Sequence, residues 1–194
     1  MNTVRKKLRS IPESIAKYIS FLSPSAITAL GLLFSLLTPV VAYITKNSMS
    51  AGVIASVAML MDAFDGSVAR LRGIASKRGA FIDSIADRFS DAAIVLALYF
   101  LGCDYLLIYL VAAFSMTISY IRARAESLGV RGLAEVGIMT REFRGIAIIA
   151  VYLVHYLIGV DYANYLLLIL LAILGITIIQ RSVYVSTLLK IESM

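Results

Sequence analysis

Five aspartates, Asp62, Asp65, Asp83, Asp87 and Asp91, interrupt two apolar stretches that should otherwise be free of acids. Asp62 and Asp65 are three residues apart, and Asp83, Asp87 and Asp91 are spaced by four, so each set occupies one face of a helix. A short basic loop joins the two stretches. The helices that carry them are therefore expected to be antiparallel neighbours, with both acidic faces at one depth. An ionised carboxylate at membrane depth costs at least ~2.5 kcal/mol, and clustered carboxylates also repel one another. Arg70 and Arg88 lie near enough in sequence to balance part of that charge. Oxygen-only ligands at this density suit Mg²⁺, Mn²⁺ or Ca²⁺. Two such ions ~3.5–4 Å apart form a clamp for phosphoryl chemistry. The spacing alone fits two other readings: a solvated hairpin end with ordinary salt bridges, and a cation path through a divalent-cation transporter. Gly66 and Gly79 do not decide among the three, since glycine serves close helix contact and close approach to a ligand alike.

The elements that must position these acids are membrane helices. Hydrophobic residues make up 60% of the 194-residue chain and charged residues 15%, against about 25% charged in a soluble domain. That length has room for six spans of ~20 residues and no second soluble domain. The expected fold is all-α: a single membrane domain over 1–194, with six transmembrane helices over about 26–45, 51–71, 79–101, 104–125, 143–160 and 163–187. Residues 4–21 mix basic and apolar residues at helical spacing and are expected to form an amphipathic helix at the membrane surface. Ser23 or Ser25 is placed to cap the first span. With no Trp, the 11 Tyr take the interfacial role. Cys103 is alone, which excludes an internal disulfide and a thiolate metal site. The one histidine, His155, lies in the apolar run VYLVHYLIG and is read as a packed or interfacial residue.

Charge placement gives an orientation. Arg5, Lys6, Lys7, Arg9 and Lys17 precede the first span. Arg70, Arg72, Lys77 and Arg78 flank the second connection, and Arg122, Arg124, Arg131, Arg141 and Arg144 flank the fourth. Arg181 and Lys190 follow near the end, while the opposite connections carry only Lys46. This asymmetry puts both termini and both basic loops in the cytoplasm of a cell-membrane protein. The net charge of +6 is then mainly a topological signal, and nucleic acid is not an expected partner.

The pattern Asp62-x2-Asp65-Gly66-x2-Ala69-Arg70-x8-Gly79-x3-Asp83-x3-Asp87 resembles the signature of the CDP-alcohol phosphotransferases at all eight fixed positions. The run Ser23-Pro24-Ser25-Ala26-Ile27-Thr28 is similar to that family's opening of the first span, where Asn is commoner than Ser25. The resemblance implies a six-span homodimer with a polar cavity open to the cytoplasm and two divalent ions, Mg²⁺ or Mn²⁺. It implies that Asp62, Asp65 and Asp83 bind metal, and that Asp87 contacts metal and acts as the general base. It also implies that Ser25, Thr28, Gly66, Ala69, Arg70 and Gly79 hold the CDP-linked donor, with Ser76 at its diphosphate.

The acceptor is addressed by the segment SYIRARAESLGVRGLAEVGIMTREFRGIAI. Arg122, Arg124, Arg141 and Arg144 put four guanidinium groups near the cytoplasmic end. Arg141 and Arg144 open a helix, where basic residues oppose the dipole and a bound anion would resolve the conflict. A cation path would not be expected to collect arginines. The run Tyr120–Glu126 and the pair Arg141-x-x-Arg144 are similar to the phosphatidylinositol-phosphate synthase branch, with Arg122 in place of its lysine and Phe143 in place of its acid. The implied acceptor is inositol phosphate. The implied donor is a lipid, CDP-diacylglycerol or CDP-archaeol; the alternative is CDP-inositol, which would yield di-inositol phosphate phosphate.

Overall fold

The computed structural model describes residues 22–74, 76–130, 132–133 and 136–192. The expected surface helix over 4–21 and the loop residue Arg131 lie outside the described residues. Six helices follow one another: α1 (Pro24–Thr45), α2 (Ser48–Leu71), α3 (Lys77–Phe100), α4 (Tyr105–Ser127), α5 (Arg141–Ile158) and α6 (Val160–Glu192). No strand occurs among the described residues. Each helix begins and ends within a few residues of one of the six expected apolar blocks, except that α6 runs on to Glu192.

Local chemistry sets the ends. The side chain of Ser23 caps α1 by accepting from Ala26 N, Asn47 caps α2 by accepting from Met49 N and Ser50 N, and Asp104 caps α4 by accepting from Leu106 N and Leu107 N. Ser76 Oγ caps α3 by accepting from Gly79 N at 3.0 Å. Among the described residues four helices, α1, α2, α4 and α6, are long and apolar enough to cross a membrane. α3 and α5 fall outside that set for a chemical reason. α3 carries Asp83, Asp87, Arg88 and Asp91 along its length, and α5 opens with Arg141, Glu142 and Arg144. These two helices supply Asp83, Asp87, Arg141 and Arg144, while α2, which is apolar enough to be counted, still carries Asp62 and Asp65.

α1 packs extensively against both α2 and α3, whereas α2 and α3 touch each other only sparsely. They are hairpin partners as expected, yet α1 is wedged along both, and their acidic faces look onto a shared space. Small residues bring the backbones close. A Cβ on Gly31 of α1 would meet Met61 Cβ at 3.3 Å and Asp62 N at 3.6 Å. α5 lies as tightly on α2: a Cβ on Gly52 would stand 3.0 Å from Tyr152 Cβ, and one on Gly145 would run into the Met59 methyl group. Ala51, Ala55 and Ala58 are buried on the same helix. Tyr152, buried at the centre, donates its hydroxyl to Ile94 O at 2.6 Å and so ties α5 to α3.

The end away from the acids is held by polar contacts between connections. Lys46 Nζ donates to Phe100 O and sits 4.9 Å over the Tyr43 ring. Asp104 N donates to Asn164 Oδ1. His155 bridges this end, with Nδ1 3.0 Å from Ser48 Oγ and Nε2 3.0 Å from Leu101 O. The carbonyl requires Nε2 to carry the proton, so Ser48 donates to Nδ1. Both nitrogens are satisfied, in keeping with a packed histidine. Cys103 is buried in the adjoining connection, and that burial pushes its thiol up to about 11, which keeps it protonated and inert.

Candidate active site

Asp62, Asp83 and Asp87 each present a carboxylate oxygen to a common point, with the three oxygens within 4.8 Å of one another. α2 supplies the first and α3 the other two. Asp65 is buried one turn below Asp62 and accepts a 2.6 Å hydrogen bond from Thr28 Oγ1. That hydroxyl also lies 3.1 Å from Pro24 O, but its single proton goes to the nearer, charged acceptor. Thr28, expected at the donor, therefore also fixes one of the aspartates from α1.

Charge compensation comes only in part from the residues expected to give it. Arg88 lies 3.9 Å from Asp87 and 3.7 Å from Asp91, while Arg70 donates to Ser67 Oγ. The closest counter-ion is Arg141, at the start of α5. Its Nη2 lies 2.8 Å from Asp62 Oδ1 and 2.6 Å from Asp87 Oδ1, the second a close ion pair without hydrogen-bond geometry. The anions that offset the unfavourable dipole position of Arg141 are thus carboxylates of the protein. Asp83 Oδ1, by contrast, is buried with no hydrogen-bond donor. A buried carboxylate oxygen is seldom left bare, because the desolvation it suffers must be offset by a donor or a cation. An orphaned acceptor beside two convergent carboxylates fits a divalent, oxygen-ligated ion.

A second polar cluster adjoins the first. Arg144, with 8% of its side chain exposed, sits 3.3 Å from Asp91 Oδ2 and 3.5 Å from Ser119 Oγ. Arg88 donates to the same serine at 2.9 Å and lies 3.7 Å from the same aspartate. Arg181 of α6 is buried and donates to Val136 O at 2.9 Å and Ile118 O at 3.1 Å. Arg144 and Arg122 both lie close enough to act on it electrostatically. Arg122 is exposed and pairs with Glu126 along its own helix. Arg124 is exposed and contacts Ser127, so nothing in its surroundings draws it to the cluster.

The remaining expected donor residues lie on α1, α2 and the start of α3. Ser25 is exposed at the first turn of α1, and Gly66, Ala69 and Arg70 follow Asp65 along the last two turns of α2. A Cβ on Gly66 would approach Arg70 Nη1 to 3.3 Å. Gly79 and Ser76 form the cap of α3, the helix that carries Asp83 and Asp87.

Ser119, Thr177 and the full part played by Arg181 were not anticipated. Thr177 Oγ1 accepts from Met139 N, Gln180 accepts from Ile138 N, and Arg181 holds Val136 O. α6 thereby fastens the segment that leads into Arg141. Thr177, Gln180 and Arg181 stand at i, i+3 and i+4 in an apolar helix, a polar stripe legible in the sequence. Gly137 completes this contact with φ +95° and would place a Cβ 2.7 Å from Thr177 Cγ2. Gly137→Ala is expected to lower stability by about 1–3 kcal/mol and to displace the start of α5. A thermal-unfolding midpoint equal to that of the parent would show that the segment adjusts freely.

Three comparisons bear on this geometry. The chain is 35% identical to an archaetidylinositol phosphate synthase of Pyrococcus horikoshii over 184 residues, covering 93% of this chain and 94% of that one. Its fold is similar to that of a phosphatidylinositol phosphate synthase of Mycobacterium tuberculosis crystallised with CDP-DAG bound, with TM-score 0.77, 26% identity, and 91% and 94% of the two chains covered. The same protein in complex with manganese and citrate matches with TM-score 0.76, 26% identity, and coverage of 92% and 88%. The model of the CDP-alcohol phosphatidyltransferase family matches residues 21–183, a stretch that contains every aspartate and arginine of the two clusters. With its four long apolar helices and its convergent carboxylates, the chain belongs to the CDP-alcohol phosphatidyltransferase family.

Proposed function

We propose that this protein transfers a phosphate-linked lipid group from a CDP-activated donor, CDP-archaeol or CDP-diacylglycerol, to inositol phosphate, releasing CMP. The observation that carries the reaction is the convergence of Asp62, Asp83 and Asp87 around a bare buried oxygen, beside a buried group of arginines. The lipid donor and the acceptor are supported by the archaetidylinositol and phosphatidylinositol phosphate synthases that match most of the chain. CDP-inositol is the weaker choice on the same ground.

The proposal extends to six membrane spans in one domain, with α3 and α5 crossing as well. Asp87 and Arg144 are buried and Asp83, Arg88, Asp91 and Arg141 half-buried among the helices, which makes these charges tolerable there. Both termini and the site face the cytoplasm, and the enzyme works as a homodimer. Two divalent ions, Mg²⁺ or Mn²⁺, are assigned to Asp62, Asp65, Asp83 and Asp87. Bound there, they supply Lewis-acid stabilisation of the donor diphosphate. Ser25, Thr28, Gly66, Ala69, Arg70, Ser76 and Gly79 frame the donor. Asp87 takes the proton of the acceptor hydroxyl as that oxygen bonds to the lipid-bearing phosphorus and the bond to the CMP oxygen breaks. Arg144, Arg122 and Arg181 orient the acceptor phosphate, joined by Arg141; Arg124 stands further out.

The assay is CMP release by purified protein in lipid nanodiscs, with Mg²⁺, inositol phosphate and each CDP donor in turn. Release with a lipid donor is expected. Release with CDP-inositol alone transfers the assignment to di-inositol phosphate phosphate synthesis, and no release with any donor overturns the reaction class. Within the arginines, Arg144→Ala is expected to raise the inositol phosphate KM by about tenfold or more, the worth of a charge-assisted contact. Arg124→Ala should change it by less than about twofold. Equal effects of the two substitutions would dissolve the distinction drawn from their burial.

A further inference from the structure

Arg141 differs from the other arginines in what it touches. One of its nitrogens bridges carboxylates of two helices, at 2.8 Å from Asp62 and 2.6 Å from Asp87. Those carboxylates are two of the three whose oxygens converge. A divalent ion shared by Asp62 and Asp87 would need the gap between them, because the oxygens that ligate Mg²⁺ close to about 2.0–2.1 Å. That gap is where the guanidinium nitrogen sits. Guanidinium has donors only and cannot shed its charge, so beside a divalent cation it is repelled. Arg141 keeps 37% of its side chain exposed, so it is not sealed between the two carboxylates.

We propose that Arg141 is a tethered counter-ion that competes with the divalent metal for Asp62 and Asp87 and, once displaced, turns to the phosphate oxygens of the substrate. The competition rests on the metal reading proposed above. Without metal, Arg141 offsets the repulsion among the carboxylates and keeps the empty site folded. Metal entry drives it off, and the freed guanidinium starts one helical turn before Arg144, a member of the buried arginine group. Thermodynamic linkage then makes metal and acceptor phosphate assist each other, because a phosphate that holds the displaced side chain removes the competitor.

The test is the affinity for Mn²⁺ alone, read from the electron paramagnetic resonance signal of the free ion, for the full chain in detergent and for Arg141→Ala and Arg141→Lys. Competition predicts that the alanine variant binds Mn²⁺ about tenfold tighter, with the lysine variant in between. Inositol phosphate should tighten Mn²⁺ binding to the parent by about fivefold and lose most of that effect in the alanine variant. Thermal midpoints guard against misfolding: in EDTA the alanine variant falls below the parent, and Mn²⁺ restores it by a larger rise. Unchanged or weaker Mn²⁺ binding in the alanine variant, with the parent still binding, overturns the competition and leaves Arg141 a structural brace. Failure of parent and variant alike to bind Mn²⁺ overturns the metal reading itself, and the competition with it.

Discussion

Replacing Asp87 with asparagine is expected to reduce CMP release about a thousandfold or more while donor binding changes by no more than a few-fold. Asparagine matches the carboxylate in size, so the buried position on α3 is kept filled. What disappears is the basicity needed to accept a proton and one negative charge facing Arg141. Of the groups assigned to the donor, Ser25 and Thr28 lie on α1, Gly66, Ala69 and Arg70 on α2, and Ser76 and Gly79 at the start of α3, two turns or more before Asp87. Single-turnover CMP release and equilibrium binding of the CDP donor separate the two effects. Turnover within about tenfold of the parent would remove Asp87 as the proton acceptor, since general-base contributions run from about 10² to 10⁴. Parallel loss of donor binding would instead make metal ligation its main task.

The acidic faces were legible because helical spacing is rigid: three- and four-residue intervals put Asp62 with Asp65 and Asp83 with Asp87 whatever the neighbours do. The partners of those faces were not, because they come from elements distant in sequence. Arg141 reaches Asp62 across 79 positions, and Thr28 reaches Asp65 across 37. Proximity along the chain pointed to Arg70 and Arg88 as counter-charges, yet Arg70 turns to Ser67 on its own helix. Arg181 illustrates a second limit. Charge counting assigns it to topology, and only the stripe it shares with Thr177 and Gln180 hints that it is buried and holds a loop. Likewise six apolar blocks were visible, yet only α1, α2, α4 and α6 are apolar enough to be recognised as spans by composition. The shortfall in α3 and α5 reflects the density of charged residues on them, whereas α2 keeps an apolar stretch ahead of Asp62 and Asp65.

Asp83 should show function and stability pulling in opposite directions. Its Oδ1 is buried with no donor, and its carboxylate converges with those of Asp62 and Asp87. Without metal this is a net repulsive arrangement, only partly offset by Arg141. Asp83→Asn removes one charge and adds an amide that donates to the neighbouring carboxylates. In EDTA the variant is therefore expected to unfold later than the parent, by about 1 kcal/mol, the gain typical of relieving strain at a functional site. Addition of Mn²⁺ should then raise the parent's midpoint but scarcely move the variant's, because a ligand stabilises only the state that binds it. CMP release should fall about a hundredfold or more, as expected when a charged transition-state contact is lost. An EDTA midpoint below the parent's would mean that the Asp83 carboxylate has a folding partner and is not a ligand held ready for a cation. Preserved Mn²⁺ stabilisation would confine the metal to Asp62, Asp65 and Asp87. The expected crossing of the two measurements distinguishes an acid kept for chemistry from one kept for folding.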